Sequence, residues 1–157
     1  MSRDSTSDLR RLAVSAGGLG FVPLMPGTAA SAAALGVGLA LEALAPAAQA
    51  VLAGLIVVAT ATGFALAPWA QDDAGRADPR WFVLDEVAGM WLAMWALPGG
   101  WKAALVAFGI FRVLDIAKPP PVKQAEGLLG AGGIVLDDLV AAVLTNLLVR
   151  LLWLVVG

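Results

Sequence analysis

The chain has 157 residues, of which 60% are hydrophobic and 14% are charged, and its mean hydropathy is +0.85. Soluble domains are about 45–50% apolar and about 25% charged, so the composition predicts an integral membrane protein with one domain over residues 1–157. The net charge of −2 argues against a basic nucleic-acid-binding surface. The chain has no Cys and no His, which excludes disulfides, the usual zinc sites and histidine catalysis.

Apolar segments separated by prolines predict an all-α membrane bundle of about five transmembrane or membrane-embedded helices. Residues 1–11 are predicted to be a polar tail, and the glycine-rich residues 12–25 a short interfacial or re-entrant segment. The helices are predicted over residues 29–45, 47–67, 81–97, 101–117 and 134–157. The turn at 26–28 opens the first helix, with Thr28 as its N-cap. Pro68 is predicted to end the second helix and to begin a polar loop over residues 68–80. The third and fourth helices are short for a full span.

The basic residues predict the orientation of this bundle. If all five helices cross the membrane and the tail is cytosolic, most basic residues lie on the cytosolic side, as the positive-inside rule expects. The cytosolic set includes Arg10, Arg11, Arg76, Arg80, Lys118 and Lys123, and Lys102 and Arg150 lie outside. The acids of the last three helices then lie at one depth near the cytosol, whereas an ion path would distribute them across the membrane.

Two adjacent acids, Asp85 and Glu86, interrupt the apolar run at 81–95. A charge near the middle of a membrane helix costs roughly 2.5–3.5 kcal/mol on insertion scales, so such acids are candidates for function. Asp115, Asp137 and Asp138 are predicted at the same end of the bundle. Carboxylates without His or Cys are the usual ligands of Mg²⁺ or Mn²⁺. The alternative is that these acids cap helices or form ion pairs, which does not explain Asp85 and Glu86.

Three further features favour phosphate binding. The small-residue turn at 26–31 leads into a helix, and free N–H groups at a helix N-terminus attract anions. Arg112 and Lys118 can also bind phosphate. An ordinary N-cap and basic side chains that extend to the membrane surface are the alternative interpretations.

Five motifs in this order resemble the phosphatidylglycerophosphatase A family over roughly residues 15–145. They are P-G-T-x-x-S at 26–31, D-P at 78–79, D-E-x-x-G at 85–89, F-R-x-x-D-x-x-K-P at 111–119 and G-G-I-x-x-D-D at 132–138. The resemblance implies a Mg²⁺-dependent phosphatase that converts phosphatidylglycerophosphate to phosphatidylglycerol in the bacterial inner membrane, with its active site on the cytosolic side. Ala30 departs from the family pattern, which usually has Gly there.

The residues are assigned by position in these motifs. The predicted metal ligands are Asp78, Asp85, Glu86, Asp137 and Asp138. The predicted substrate-binding residues are Pro26, Gly27, Thr28, Ser31, Arg112 and Lys118, and the predicted catalytic residues are Asp85, Glu86, Asp115, Asp138, Arg112 and Lys118. The cofactor is Mg²⁺, with Mn²⁺ as an alternative, and the partner is the phospholipid substrate. Either an activated water or an Asp carboxylate could act as the nucleophile.

Two other classes remain as alternatives at this stage. A small ion or solute transporter would use the same carboxylates for transport, and a non-catalytic protein would bind the lipid without turnover. The sequence shows no internal repeat of the kind that many transporters contain. It leaves the oligomeric state open.

Overall fold

The computed structural model describes residues 5–156, and no β-strand occurs within that range. Seven α-helices follow one another in these described residues, with short 3₁₀ turns at Leu19–Phe21 and Gly130–Gly132. They are α1 Ser5–Val14, α2 Pro26–Leu44, α3 Ala48–Ala74, α4 Leu84–Met94, α5 Gly100–Ala117, α6 Val122–Glu126 and α7 Gly133–Val156. The all-α prediction is confirmed.

Within residues 5–156, three helices are long and apolar enough to cross a membrane: Pro26–Leu44, Ala48–Ala74 and the segment Gly130–Val156. The predicted number of about five is not confirmed. Helix α4 has 11 residues, or about 16 Å at 1.5 Å per residue, roughly half of a 30 Å hydrocarbon core. Helix α5 has 18 residues, and Lys102, Arg112 and Asp115 interrupt its apolar sequence.

Helix α4 lies at the centre of the bundle and packs against α2, α3, α5 and α7. Its buried side chains are small or flexible, as for Ala88, Met90 and Ala93. Small residues let neighbouring helices approach closely, which is the usual way that helices pack inside membranes. Gly89 shows this most clearly, because a Cβ there would lie 2.6 Å from Phe111 Cζ and 3.3 Å from the carbonyl oxygen of Asp138.

Polar side chains from α7 explain why α4 ends at Met94 and not at residue 97 as predicted. Asn146 Nδ2 donates hydrogen bonds to the carbonyl oxygens of Ala93 and Trp95, at 3.0 and 2.9 Å. Arg150 Nη2 donates to the carbonyl oxygen of Ala96 at 2.7 Å. These donors satisfy carbonyls that an ended helix leaves unpaired, and the positive charge of Arg150 suits a helix C-terminus.

Pro68 does not end the second predicted helix, since α3 continues through it to Ala74. The predicted loop at 68–80 is therefore wrong for its first seven residues. A proline inside a helix costs about 3 kcal/mol or more. Here the helix continues because Ala67 and Ala70 are fully buried in a second apolar cluster with Phe82 and Val135.

The N-terminal segment also differs from the prediction. Residues 1–4 of the predicted polar tail lie outside the described residues, but the rest of the tail belongs to α1. Arg11 in α1 forms an ion pair with Asp73 in α3 at 2.7 Å, and Val83 N donates to the carbonyl oxygen of Val14 at 2.9 Å. A ten-residue helix is marginal alone, so these tertiary contacts decide that it forms.

Candidate active site

The ends of three helices, together with the connection before α4, surround a cavity of about 280 Å³ at one end of the bundle. The first turn of α4 provides Asp85 and Glu86, the last turns of α5 provide Arg112 and Asp115, and α7 provides Asp137 and Asp138. The cavity is lined by Asp78, Phe82, Asp85, Glu86, Asp115, Ile116, Lys118, Ile134, Asp137 and Asp138. The sequence placed most of these polar residues at one end of the bundle, and the structure brings them to one cavity.

Asp85, Glu86 and Asp138 form the centre of this cavity, because each directs a carboxylate oxygen to within 4.8 Å of the other two. Asp85 and Asp138 are buried and Glu86 is partly buried. Two of the buried oxygens, Glu86 Oε2 and Asp138 Oδ2, have no hydrogen-bond partner in the described structure. Buried polar atoms without partners are costly, and three converging carboxylates repel one another. A hard divalent cation would remove both penalties.

The proximity of these acids changes their titration. Asp85 and Glu86 lie in α4, which is too short to span a membrane. Burial, followed by the charge of Glu86, raises the pKa of Asp85 well above its ordinary value. Burial likewise raises the pKa of Glu86. Perturbed carboxylates that share a cleft are typical of functional sites.

Asp137 faces Lys118 instead of joining the three central acids. Lys118 Nζ donates a short hydrogen bond to Asp137 Oδ2, and its ammonium lies 3.6 Å from Glu126 Oε1. Burial lowers the pKa of Lys118, but the hydrogen bond and the charge of Asp137 outweigh it, so the pKa is raised. Asp137 lines the cavity and is 1% exposed, so in this structure the lysine neutralises it.

Arg112 lies between the acids and the first turn of α2. Its guanidinium forms an ion pair with Asp115 at 2.6 Å, and Nη1 donates to Ser31 Oγ at 3.3 Å. Ser31 Oγ donates in turn to the carbonyl oxygen of Gly27 at 2.9 Å. Within the described part of the chain, the Nε atom of Arg112 is buried without a partner, which leaves one donor for a ligand.

The turn at 26–28 contacts the acid cluster directly. A Cβ at Gly27 would meet the carboxyl group of Glu86, with Cδ at 3.0 Å, and would lie 3.2 Å from Arg112 Nη2. The absence of a side chain at Gly27 therefore lets α2 approach both residues. The prediction that Thr28 is the N-cap is wrong, because α2 begins at Pro26 and its N-cap is Met25. The buried Oγ1 atom of Thr28 has no hydrogen-bond partner among the described residues.

The remaining predicted site residues lie at the edge of this arrangement. Asp78 lines the cavity but is exposed, outside the group of three acids. Pro26 opens α2 at its first position. No local pattern indicates Glu126 as a partner of Lys118, because α6 and the proline turn before it determine that contact. Phe82 and Ile134, which form apolar walls of the cavity, were likewise not singled out.

The sequence profile of the family described as Phosphatidylglycerophosphatase A matches residues 12–153. The chain belongs to the phosphatidylglycerophosphatase A family. Membership identifies it as a phosphatase that acts on a lipid, in agreement with the predicted enzyme and against the transporter and the non-catalytic lipid-binding protein. The five motifs that carried the resemblance all lie within the matched residues.

Individual relatives support the same family. The chain is 34% identical over 145 residues to a putative phosphatidylinositol-3-phosphatase of Bacteroides thetaiotaomicron, which covers 89% of this chain and 91% of that protein. It is 32% identical over 130 residues to phosphatidylglycerophosphatase A of Escherichia coli, covering 82% and 74% of the two chains. A third relative, phosphatidylglycerophosphatase A of Haemophilus influenzae, is 38% identical over 73 residues, 45% of each chain. No solved structure matches the chain.

Proposed function

We propose that this lipid phosphatase removes the terminal phosphate of phosphatidylglycerophosphate, with Mg²⁺ bound by Asp85, Glu86 and Asp138. The observation that supports the metal site most strongly is the convergence of three carboxylates within 4.8 Å, two of them with buried oxygens that lack partners. Only oxygen ligands are present, which favours Mg²⁺ and allows Mn²⁺. A bound divalent ion would polarise a phosphoryl oxygen and promote attack by water.

The other predicted ligands take supporting roles in this proposal. Asp78 is exposed at the cavity, and we assign it to completing the ligand set. Asp137 is held by Lys118, so we assign it to orienting that lysine, and Lys118 to balancing negative charge in the cavity. An Asp carboxylate as nucleophile remains an alternative to water.

Phosphate binding is assigned to the contact between α2 and α5 beside the acid cluster, where Gly27 packs against Glu86 and Arg112. Arg112 has a free buried Nε, and Thr28 has a free buried Oγ1. The first-turn amides of α2, at Gly27 and Thr28, lack the carbonyl partners that later helical residues have. Together these groups offer donors to an anion. Asp115 fixes the guanidinium of Arg112 and Ser31 supports it from α2.

A second candidate substrate is phosphatidylinositol 3-phosphate, because the relative that matches 89% of this chain bears the name of a phosphatase for that lipid. Both lipids carry a phosphomonoester on a polyol that a phosphodiester joins to diacylglycerol. The same polar cavity suits the shared phosphomonoester. The two candidate substrates therefore differ in the polyol that the site must accept.

The proposed location is the bacterial inner membrane with the cavity on the cytosolic side. Its support is the position of the charges: Lys118, Lys123, Arg76 and Arg80 lie in the connections at the end that contains the cavity, and Arg150 lies near the opposite end of α7. This distribution follows the positive-inside rule.

The test is release of inorganic phosphate by the purified protein in detergent micelles. Each of the two lipids is supplied with Mg²⁺, then with EDTA, and then with Mg²⁺ restored. We expect faster turnover of phosphatidylglycerophosphate, loss of turnover in EDTA and recovery with Mg²⁺ or Mn²⁺. Undiminished turnover in EDTA would refute the metal site, and exclusive turnover of phosphatidylinositol 3-phosphate would replace the proposed substrate.

A further inference from the structure

A second hollow of about 320 Å³ lies in the connection between α1 and α2. It is lined by Gly20, Val22, Pro23, Leu24, Met25, Pro26 and Arg80. Its walls are the backbone and apolar side chains of one loop, and Arg80 is the single charged residue that lines it. The motifs that indicated the family do not include Arg80, and the site described above does not use it.

Two chain segments connect this hollow to the active-site cavity. On one side, Pro26 lines the hollow, and the next residue, Gly27, packs against Glu86. On the other side, Arg80 lines the hollow, whereas Asp78 and Phe82, two residues before and after it, line the cavity. These two segments provide a path along which a headgroup held in the cavity would extend toward the hollow.

Arg80 differs from the other two cations near the cavity because it has no acidic partner in the described part of the chain. Arg112 is paired with Asp115, and Lys118 with Asp137 and Glu126, whereas no hydrogen bond or ion pair involves Arg80 within residues 5–156. Its side chain is exposed at the hollow. A free guanidinium binds phosphate oxygens through two parallel N–H donors.

The loop that forms the hollow exposes large apolar side chains. Leu24 is 81% exposed, Met25 59% and Phe21 57%. Apolar side chains that project beside a basic residue at the end of membrane helices are typical of a segment that lies in the membrane interface. A ligand that enters the hollow from this side is therefore a lipid at the depth of its glycerol and phosphate.

We infer that the Arg80 hollow binds the phosphodiester that joins the headgroup of the substrate to diacylglycerol, while the phosphomonoester occupies the neighbouring cavity. This inference rests on the proposed function but not on the choice between the two lipids, since both have this diester. It makes Arg80 a determinant of specificity. Phosphatidic acid, whose phosphomonoester is attached directly to diacylglycerol, has no second phosphate for Arg80 to bind.

The experiment compares Arg80→Gln with Arg76→Gln, an exposed arginine in the same connection that does not line the hollow. Kinetics are measured in zwitterionic detergent micelles with whichever of the two lipids the wild type hydrolyses faster, and phosphatidic acid is added as a competitor. For Arg80→Gln we expect kcat/KM to fall roughly tenfold, about 1.4 kcal/mol, mainly through KM. The inhibition constant of phosphatidic acid should stay unchanged, and Arg76→Gln should resemble the wild type.

Three results would overturn the inference. Unchanged kcat/KM in Arg80→Gln would show that Arg80 does not bind the substrate. An equal weakening of inhibition by phosphatidic acid would show that Arg80 attracts any anionic lipid. A lowered melting temperature together with a fall in kcat would show that Arg80 has a structural role. The fall in kcat/KM should be smaller for Arg80→Lys than for Arg80→Gln, because lysine retains the positive charge although it lacks the paired N–H donors.

A wild type that hydrolyses neither lipid would refute the proposed function and not the binding site. In that case, binding of phosphatidylglycerol, which has the diester alone, is measured by spin-labelled or fluorescent analogues. Weaker binding in Arg80→Gln than in Arg76→Gln would support the inference. Equal binding in the two variants would overturn it.

Discussion

Gly27→Ala perturbs the acid cluster from a helix that carries none of its acids. A Cβ at this position would lie 3.0 Å from Glu86 Cδ and closer still to its Oε1 atom, and 3.2 Å from Arg112 Nη2. Atoms pack best at about 3.5–4.0 Å, and because Oε1 is the nearest atom, the carboxyl of Glu86 must withdraw by about 1 Å or more. The atoms that move are the end of a flexible side chain, and the backbone of α2 can stay in place.

The predicted cost therefore falls on activity and not on folding. Displacement of a catalytic group by about 1 Å can reduce a rate by about 10²-fold, and Glu86 is one of three residues proposed to hold the metal ion. Alanine is up to about 1 kcal/mol more favourable than glycine within a helix, which opposes any loss of stability. We expect kcat/KM for the lipid to fall by about 100-fold and the melting temperature to change little.

The matched control is Gly36→Ala in the same helix, where an added Cβ has no heavy atom within 4 Å. This variant should be fully active and at least as stable as the wild type, because only the helix propensity changes. Both variants are compared by phosphate release and by thermal unfolding in detergent. Wild-type turnover in Gly27→Ala would refute the reasoning, since it would mean that the position of Glu86 is not required.

Two other substitutions separate function from folding. Asp85→Asn removes one of three converging charges, so we expect turnover to fall by orders of magnitude while the melting temperature holds or rises. The control Asp72→Asn, at an exposed position, should leave turnover and melting temperature unchanged. A destabilised but active Asp85→Asn protein would show that this acid has a structural role. Gly89→Ala would place a Cβ 2.6 Å from Phe111 Cζ, and overpacking of this kind costs about 1–3 kcal/mol. Its melting temperature should fall, and an unchanged value would show that α4 and α5 can separate without cost.

The helix boundaries show where local sequence reasoning succeeds. Helices α2, α5 and α7 begin and end within a few residues of the prediction, because prolines and glycines interrupt long apolar runs and act locally. The larger errors, in α1, α3 and α4, have tertiary causes. Burial of Ala67 and Ala70 carries α3 past Pro68, and hydrogen bonds from Asn146 end α4 early; no signal within either helix indicates these partners.

The sequence by itself determined that the protein is helical, with helices apolar enough to cross a membrane, and which acids and bases gather at one end. Composition and the order of the five motifs are sufficient for both conclusions, since the cost of burying a charge in an apolar run depends on residues that are adjacent in the sequence. Only the tertiary structure decided how these groups divide. Asp138 joins Asp85 and Glu86, whereas the adjacent Asp137 faces Lys118, because successive residues of a helix point in directions about 100° apart.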